Sequence, residues 1–194
     1  CYYSLFQNHQ VAQWWLEKAV HTYQKNCGEQ HSDTVFARLL LFFVRGFSTS
    51  SFEKAKPYFQ QAIELSENKF GKNHIRTIGS YNAIGIFLLC SNRLAEAEEY
   101  FKKALGCCQT KHIPQSVFAL SSYGFLLSIY ERQNRDAEFE ECLEKCIEIS
   151  EMIYGKNHII SVRYHRRKNQ MAWLKTIESY RRKVTEEKTT THGE

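Results

Sequence analysis

The residues with the clearest potential for chemistry are a repeated lysine-containing turn, a set of histidines and two cysteine pairs. The tetrapeptide Gly-Lys-Asn-His occurs at 71–74 and again at 155–158. A phosphate-binding loop needs several glycines with converging amides, followed by Lys-Ser/Thr at the start of a helix that follows a strand. Here a single glycine follows an expected helix. We therefore expect no phosphate site at these turns.

The histidines of these two turns belong to a set of four at regular junctions of the sequence: His31, His74, His112 and His158. A shared metal ion would need each ligand at about 2 Å. Equivalent residues on stacked helices lie about 10 Å apart, one helix diameter. A structural role at the start of the next helix is therefore the favoured interpretation, and Gly71 and Gly155 are expected to be left-handed helix stops.

Two cysteine pairs, 107–108 and Cys142 with Cys146, could supply thiolates for zinc or redox chemistry, with His112 nearby. Cys146, however, occupies the place that Ala104 holds in another part of the sequence, where a buried cysteine behaves as a compact hydrophobe. Core packing is the favoured interpretation, and we predict no metal and no cofactor. No Ser-His-Asp or paired-carboxylate arrangement stands in a catalytic context, so we predict that the chain is not an enzyme.

The spacing of the two turns, 84 residues from Gly71 to Gly155, divides into two periods of about 42 residues. Each copy contains a small-x3-large-x2-small frame, whose offsets of four and seven place its members on one face of a helix. A second apolar helix precedes each frame. The four frames are Ala12/Leu16/Ala19, Ala55/Phe59/Ala62, Ala97/Phe101/Ala104 and Phe139/Leu143/Cys146.

This pattern resembles the kinesin light chain type of tetratricopeptide repeat, with its Gly-x-x-His turn and the large-x2-Leu-Gly opening seen at Tyr81, Ile84 and Leu88. The resemblance covers residues 1–158. It implies an all-α fold, a right-handed superhelical solenoid of antiparallel helix pairs with a long C-terminal capping helix. The same repeat type stands at the C-terminal end of nephrocystin-like proteins. Because the sequence begins at Cys1, we expect it to be the C-terminal array of a longer chain.

We divide the chain into about four repeats at 1–158, of which the first is truncated, a basic capping helix at 159–187 and a disordered tail at 188–194. The net charge of +5 falls wholly in the last part, since residues 1–158 hold 17 basic and 17 acidic side chains and the remainder holds nine against four. The capping helix has one apolar stripe, which we expect to be its packing face: Val162, Trp173, Ile177, Tyr180 and Val184.

In proteins that this sequence resembles, the first helix of each pair lines a concave groove that holds a peptide. The resemblance implies a groove floor made of Ala37, Leu40, Val44, Phe47, Gly79, Asn82, Ile86, Leu89, Ser121, Gly124, Ser128 and Glu131. From the capping helix we add Arg163, Arg166 and Trp173 as a wall that would hold an acidic peptide with an apolar anchor. The alternatives for the basic helix are a simply solvated cap and contact with nucleic acid.

We predict from these features a non-catalytic protein-interaction scaffold that binds a peptide or a partner domain in the concave groove. One alternative is a nucleic-acid-binding helical repeat, which the neutral repeats disfavour because such binding needs basic charge along the groove. Another is the sensor or regulatory end of a multidomain switch protein.

The location of the protein is inferred from weaker signs. No apolar run approaches the ~20 residues that span a bilayer, so no membrane span is predicted. The sequence has seven cysteines, an odd number, and no Asn-x-Ser/Thr acceptor. Both observations favour the cytoplasm over an oxidising compartment.

Overall fold

The computed structural model describes residues 9–49, 51–109 and 117–191. All regular structure in these residues is helical, as the sequence predicts. The helices are α1 (His9–Cys27), α2 (Ser32–Phe47), α3 (Phe52–Phe70), α4 (Ile75–Cys90), α5 (Leu94–Gln109), α6 (Val117–Arg132), α7 (Asp136–Tyr154) and α8 (Ile159–Thr191). Within the described ranges, no helix has the length and hydropathy needed to cross a membrane.

The chain forms two compact units, Cys1–Ile129 and Tyr130–Glu194. In the first unit the predicted helical frames of α3 and α5 lie in the core. Ala55 and Ala62 are fully buried on either side of Phe59, and α5 repeats the arrangement around Phe101. The frame of α1 is only half-buried. Small residues at both ends of the frame let the neighbouring helix approach closely, which is why the large residue between them can be enclosed.

The large residues of these frames pack against two glycines of the neighbouring helices. A Cβ atom on Gly85 in α4 would lie 2.7 Å from Cε1 of Phe101, and one on Gly46 in α2 would lie 2.5 Å from Cε1 of Phe59. No side chain fits at such distances, so glycine is required at both places by contact rather than by backbone conformation. Gly46 lies fifteen residues after His31, whereas Gly85 lies eleven after His74. The contact between α2 and α3 therefore lies four residues further from its junction histidine than the contact between α4 and α5 does.

In the second unit α7 buries its frame residues Phe139, Leu143 and Cys146, and α8 packs against α7. The prediction that the apolar stripe of α8 is its packing face is wrong for three of its five residues, whereas Ile177 is half-buried. Val162, Trp173 and Tyr180 are 42 %, 62 % and 65 % exposed, and the side chain of Val184 lies outside the described ones.

Ion pairs lie on the side of α8 that faces α7. Three cations of α8 meet carboxylates of α7: His165 lies 2.7 Å from Glu151, Lys168 lies 2.6 Å from Glu144, and Lys175 pairs with Glu140. The Arg167 guanidinium lies over the ring of Phe139 on the same side, and the exposed residues of the apolar stripe lie on the opposite side. The helix also continues past the expected end near residue 187 to Thr191, because no helix-breaking residue precedes Gly193. Residues 192–194 of the expected tail lie outside the described residues.

Candidate peptide-binding surface

The helices α2, α4 and α8 each start at a histidine cap that fixes their register. Nδ1 of His31, His74 and His158 accepts a hydrogen bond from the backbone N–H two residues later, at 3.3, 3.1 and 3.3 Å. These three histidines therefore have the structural role that the sequence predicts, since each satisfies a free N–H of the first helical turn. The fourth, His112, lies outside the described residues.

The glycine three residues before each cap adopts a backbone conformation that differs from the predicted left-handed stop. Gly71 has φ 87° and ψ 158°, and Gly155 has φ 86° and ψ 159°. The left-handed helical region has ψ near 47°, whereas the region found here is essentially restricted to glycine. Gly28, where the motif is only Gly-x-x-His, also has a positive φ of 91°. The sequence signal is therefore the glycine and the histidine, and the lysine between them is dispensable.

Further contacts hold these junctions together. The imidazole of His74 stacks on Phe70 with ring centroids 4.9 Å apart, and that of His158 stacks on Tyr154 at 4.7 Å. Three residues after the cap, the Thr77 hydroxyl donates to the carbonyl of Gly71 at 2.8 Å. Ser161 takes the same place in α8, where its buried hydroxyl makes no hydrogen bond within the described residues.

Counting from the junction histidine identifies the side chains that α2, α4 and α6 leave accessible. At five, nine, twelve and sixteen residues after His31, His74 and His112, every residue is exposed or half-buried. These positions form what we call the accessible row: Phe36, Leu40, Phe43, Phe47, Gly79, Ala83, Ile86, Cys90, Val117, Ser121, Gly124 and Ser128.

The three helices of the accessible row lie side by side in the first unit. Between α2 and α4, the Arg76 guanidinium lies 4.3 Å from the ring centroid of Phe36 and donates to the carbonyl of Ser32 at 3.0 Å. Between α4 and α6, Nδ2 of Asn82 donates to the carbonyl of Phe118 at 3.3 Å. Because these contacts join successive first helices, the row is one continuous surface.

Most of the predicted groove residues of the first unit belong to this row or border it. Leu40, Ile86, Ser121 and Ser128 are members, as are Phe47, Gly79 and Gly124. Val44 and Leu89 are half-buried beside it. Ala83 is a member that the sequence interpretation missed, and counting nine residues from His74 would have found it. Ala37, by contrast, is 4 % exposed and belongs to the core.

Asn82, predicted to face the groove, is 5 % exposed and belongs to the contact between helices. It lies eight residues after its junction histidine, as do Leu39 and Leu120, which are also buried. Its amide is occupied inside the protein, because Oδ1 accepts from the hydroxyl of Ser122 at 2.7 Å. Asn82 therefore fixes the spacing of α4 and α6 and is not available to a ligand.

The predicted site residues of the second unit lie on the solvent side of α8. Arg163, Arg166 and Trp173 are all exposed. Arg166 and Trp173, seven residues apart, share a face of the helix with Val162 and Tyr180. Glu131, predicted for the groove, instead accepts a hydrogen bond from Arg167 at 2.6 Å.

Three of the four cysteines in the two predicted pairs have the environment of core residues. Cys108 and Cys142 are buried, and Cys146 is fully so. Burial disfavours the thiolate and raises the pKa of Cys146 to about 12. Burial likewise raises the pKa of Cys107. Among the described residues, no group of three or more His, Cys, Asp or Glu side chains could hold a metal ion.

Comparisons with known proteins agree with this architecture. Two family models, both described as tetratricopeptide repeat, match residues 47–110 and 121–160. The crystal structure of BtubC (BKLC) from P. vanneervenii superposes with a TM-score of 0.60 at 19 % identity, over 76 % of this chain and 59 % of that one. The chain thus spans little more than half the length of that protein. No curated protein matches the sequence.

Two further structures come from Podosopora anserina and contain nearly identical TPR-like repeats of a candidate kinesin light chain. One superposes with a TM-score of 0.62 at 16 % identity, covering 90 % of this chain and 88 % of that one. The other has a TM-score of 0.60 at 17 % identity, covering 90 % and 86 %. At such identities the likeness concerns the fold, and it confirms the predicted all-α solenoid class.

Proposed function

Because this chain belongs to the tetratricopeptide repeat family, we propose that it is a non-catalytic scaffold that binds an apolar segment of a partner protein on the accessible row. The family match supports a protein-interaction role in general. We also propose the binding mode, the site residues and a cytoplasmic location, which we infer from the sequence.

The observation that supports this surface is its composition. None of the twelve residues of the accessible row is charged, although 24 % of the chain is Asp, Glu, Lys or Arg. A contiguous apolar surface on three adjacent helices is unusual for a face that only meets water, and such patches commonly mark interaction sites. The row is thus the part of the first unit best suited to a partner.

The side chains of the row indicate what kind of segment would fit. Its α2 part is aromatic and aliphatic, with Phe36, Leu40, Phe43 and Phe47, whereas its α6 part has only Val117, two serines and a glycine. Large side chains of a partner can approach the backbone of α6 closely while packing against the rings of α2. We propose an extended or helical peptide with bulky apolar anchors. The acidic character of this peptide stays a prediction from the sequence.

A phage-displayed random peptide library panned against the whole chain tests this proposal. We expect the selected peptides to carry apolar anchors and to lose at least tenfold in affinity for the Leu40→Asp/Ile86→Asp variant, because a carboxylate would be desolvated against each anchor. The matched control places the same two charges on α3, as Gln60→Asp/Gln61→Asp, where both side chains are exposed. Equal affinity of the two double variants for the selected peptides would reject the accessible row as the site.

A further inference from the structure

The solvent side of α8 carries an apolar surface that shares no residue with the accessible row. We call it the outer stripe, and it comprises Ile159, Val162, Arg166, Asn169, Gln170, Trp173, Ile177 and Tyr180. Ile159, Trp173 and Tyr180 are each more than 60 % exposed, and Val162 is 42 % exposed. Two aromatic and three aliphatic side chains on one exposed helix face are more than solubility favours.

The outer stripe cannot become buried by a simple rotation of α8. The opposite side of the helix makes ion pairs to Glu140, Glu144 and Glu151 of α7, and the Arg167 guanidinium lies 4.9 Å from the ring centroid of Phe139. Turning the stripe inward would break all of these contacts. In this packing the stripe faces the solvent.

The same face of a first helix is covered elsewhere in the fold. Val162 and Arg166 lie four and eight residues after His158, and their counterparts after His74 are Ile78 and Asn82. Ile78 is fully buried, and Asn82 is bonded to α6. In α4 this face is therefore a helix-packing face. In α8 the counterparts Val162 and Arg166 are exposed, and of the eight stripe residues only Ile177 is half-buried. Most of the stripe therefore has the position of a packing surface that no described residue covers.

The spacing of the outer stripe is the same from either end. From Ile159 the steps to Val162, Arg166 and Asn169 are three, four and three residues, and from Tyr180 back to Ile177, Trp173 and Gln170 they are again three, four and three. A second α8 running antiparallel, related by a two-fold axis between residues 169 and 170, would therefore match the stripe with itself. Such a self-complementary patch is what an isologous dimer interface requires.

Each pair formed by this symmetry is physically compatible. Ile159 would lie beside Tyr180 of the second copy, Val162 beside Ile177, and Asn169 beside Gln170. Arg166 would lie over the indole of Trp173, a cation–π contact that occurs twice in the dimer. The polar residues that interrupt the apolar stripe thus acquire partners.

The two-fold arrangement also separates like charges. Arg166 and its copy would be seven residues apart along the helix axis, roughly 10 Å at 1.5 Å per residue, which is about one Debye length at 0.1 M salt. A parallel pair would instead oppose Arg166 to Arg166. The geometry favours the antiparallel arrangement.

From this self-complementarity we propose that the outer stripe of α8 is the interface of a homodimer, formed by antiparallel pairing with a second copy of this chain. Aromatic side chains bury about 150–250 Å² each, so four of them at two-thirds exposure, with the aliphatic residues, represent roughly 1,000 Å² of buried surface. Specific interfaces begin near this size. We therefore expect a reversible dimer that dissociates in the micromolar range or above. This inference does not depend on the proposed peptide site.

Sedimentation equilibrium of the whole chain from about 1 to 300 μM tests the interface. We expect a monomer–dimer equilibrium whose association constant falls at least tenfold in Trp173→Ala, since each dimer loses two indoles. The matched control is Trp15→Ala in α1, because Trp15 is 63 % exposed against 62 % for Trp173. A monomer over the whole range, or equal losses in the two variants, would overturn the proposal.

Two further measurements separate this dimer from other occupants of the stripe. If the stripe pairs with a second copy, raising the salt concentration should strengthen association, because salt screens the repulsion between two basic helices. If the stripe instead captures an acidic helix, raising the salt concentration should weaken association. Under mild oxidation Asn169→Cys, beside the two-fold axis, should form a covalent dimer much faster than the unmodified chain, which carries the same exposed Cys27 and Cys90. Cross-linking no faster than that of the unmodified chain would exclude the antiparallel register.

Discussion

Gly85 offers a direct test of the helix packing in the first unit. A methyl group at this position would lie 2.7, 2.8 and 3.0 Å from three ring carbons of Phe101. The ring cannot easily move away, because Phe101 is fully buried and stacks on Phe125 with centroids 5.1 Å apart. Overpacking of this kind costs about 1–3 kcal/mol. The gain in helix propensity from glycine to alanine offsets up to about 1 kcal/mol of it. We expect Gly85→Ala to lower the free energy of unfolding by about 1–2 kcal/mol.

Gly106 in α5 provides the matched control, since a Cβ atom there would meet nothing within 4 Å. Gly106→Ala keeps the propensity gain without the clash and should raise the free energy of unfolding by up to about 1 kcal/mol. The substitution of glycine by alanine is thus expected to lower the free energy of unfolding at one helical position and to raise it at the other. Urea denaturation followed by circular dichroism measures both, and adding Phe101→Leu to Gly85→Ala should restore part of the loss. If Gly85→Ala were as stable as Gly106→Ala, the close packing inferred for α4 and α5 would be refuted.

The remaining predictions concern a junction and a buried thiol. Gly71→Ala should lower the free energy of unfolding by about 1–3 kcal/mol through backbone strain alone, because the conformation is restricted to glycine and a Cβ atom there meets nothing within 4 Å. Urea denaturation measures the loss, with Gly106→Ala as the control. An unchanged midpoint would contradict the backbone conformation assigned to Gly71. For Cys146, the pKa is raised from 9.0 to about 12, so the unfolded chain ionises first and stability is lost as the pH rises from about 9 through 12. Thermal melts at pH 8 and 11 should show a smaller loss in Cys146→Ala than in the unmodified chain, and equal losses would show that this thiol does not contribute.

The repeat architecture could be predicted from the sequence because its signals are local. The frame around Phe101 repeats at a fixed period and needs only residues within two turns of one helix. The Gly-x-x-His junction likewise fixes helix ends through contacts within a few residues, such as Nδ1 of His74 to the N–H of Arg76. Signals of this range survive in a single sequence, and the helix pairing follows from them.

The accessible surface could be predicted only in part, because it depends on which neighbour covers each face. Asn82 and Ala83 are adjacent, and whether one or the other meets solvent depends on where α6 lies. The sequence shows that α8 has an apolar stripe, but it does not show that the opposite side of the helix, where Lys168 pairs with Glu144, is the one that faces α7. Such choices follow from partners more than twenty residues away, which periodicity within one helix does not reveal.

The histidine junctions have a consequence for how the protein can tolerate changes in length. The hairpin of α2 and α3 places its glycine–phenylalanine contact four residues later than that of α4 and α5, yet Gly79 still follows His74 at the spacing with which Phe36 follows His31. Each cap restarts the register of the helix that it begins. An insertion in one hairpin would therefore leave the alignment of the next unchanged, so errors of length do not accumulate along the array.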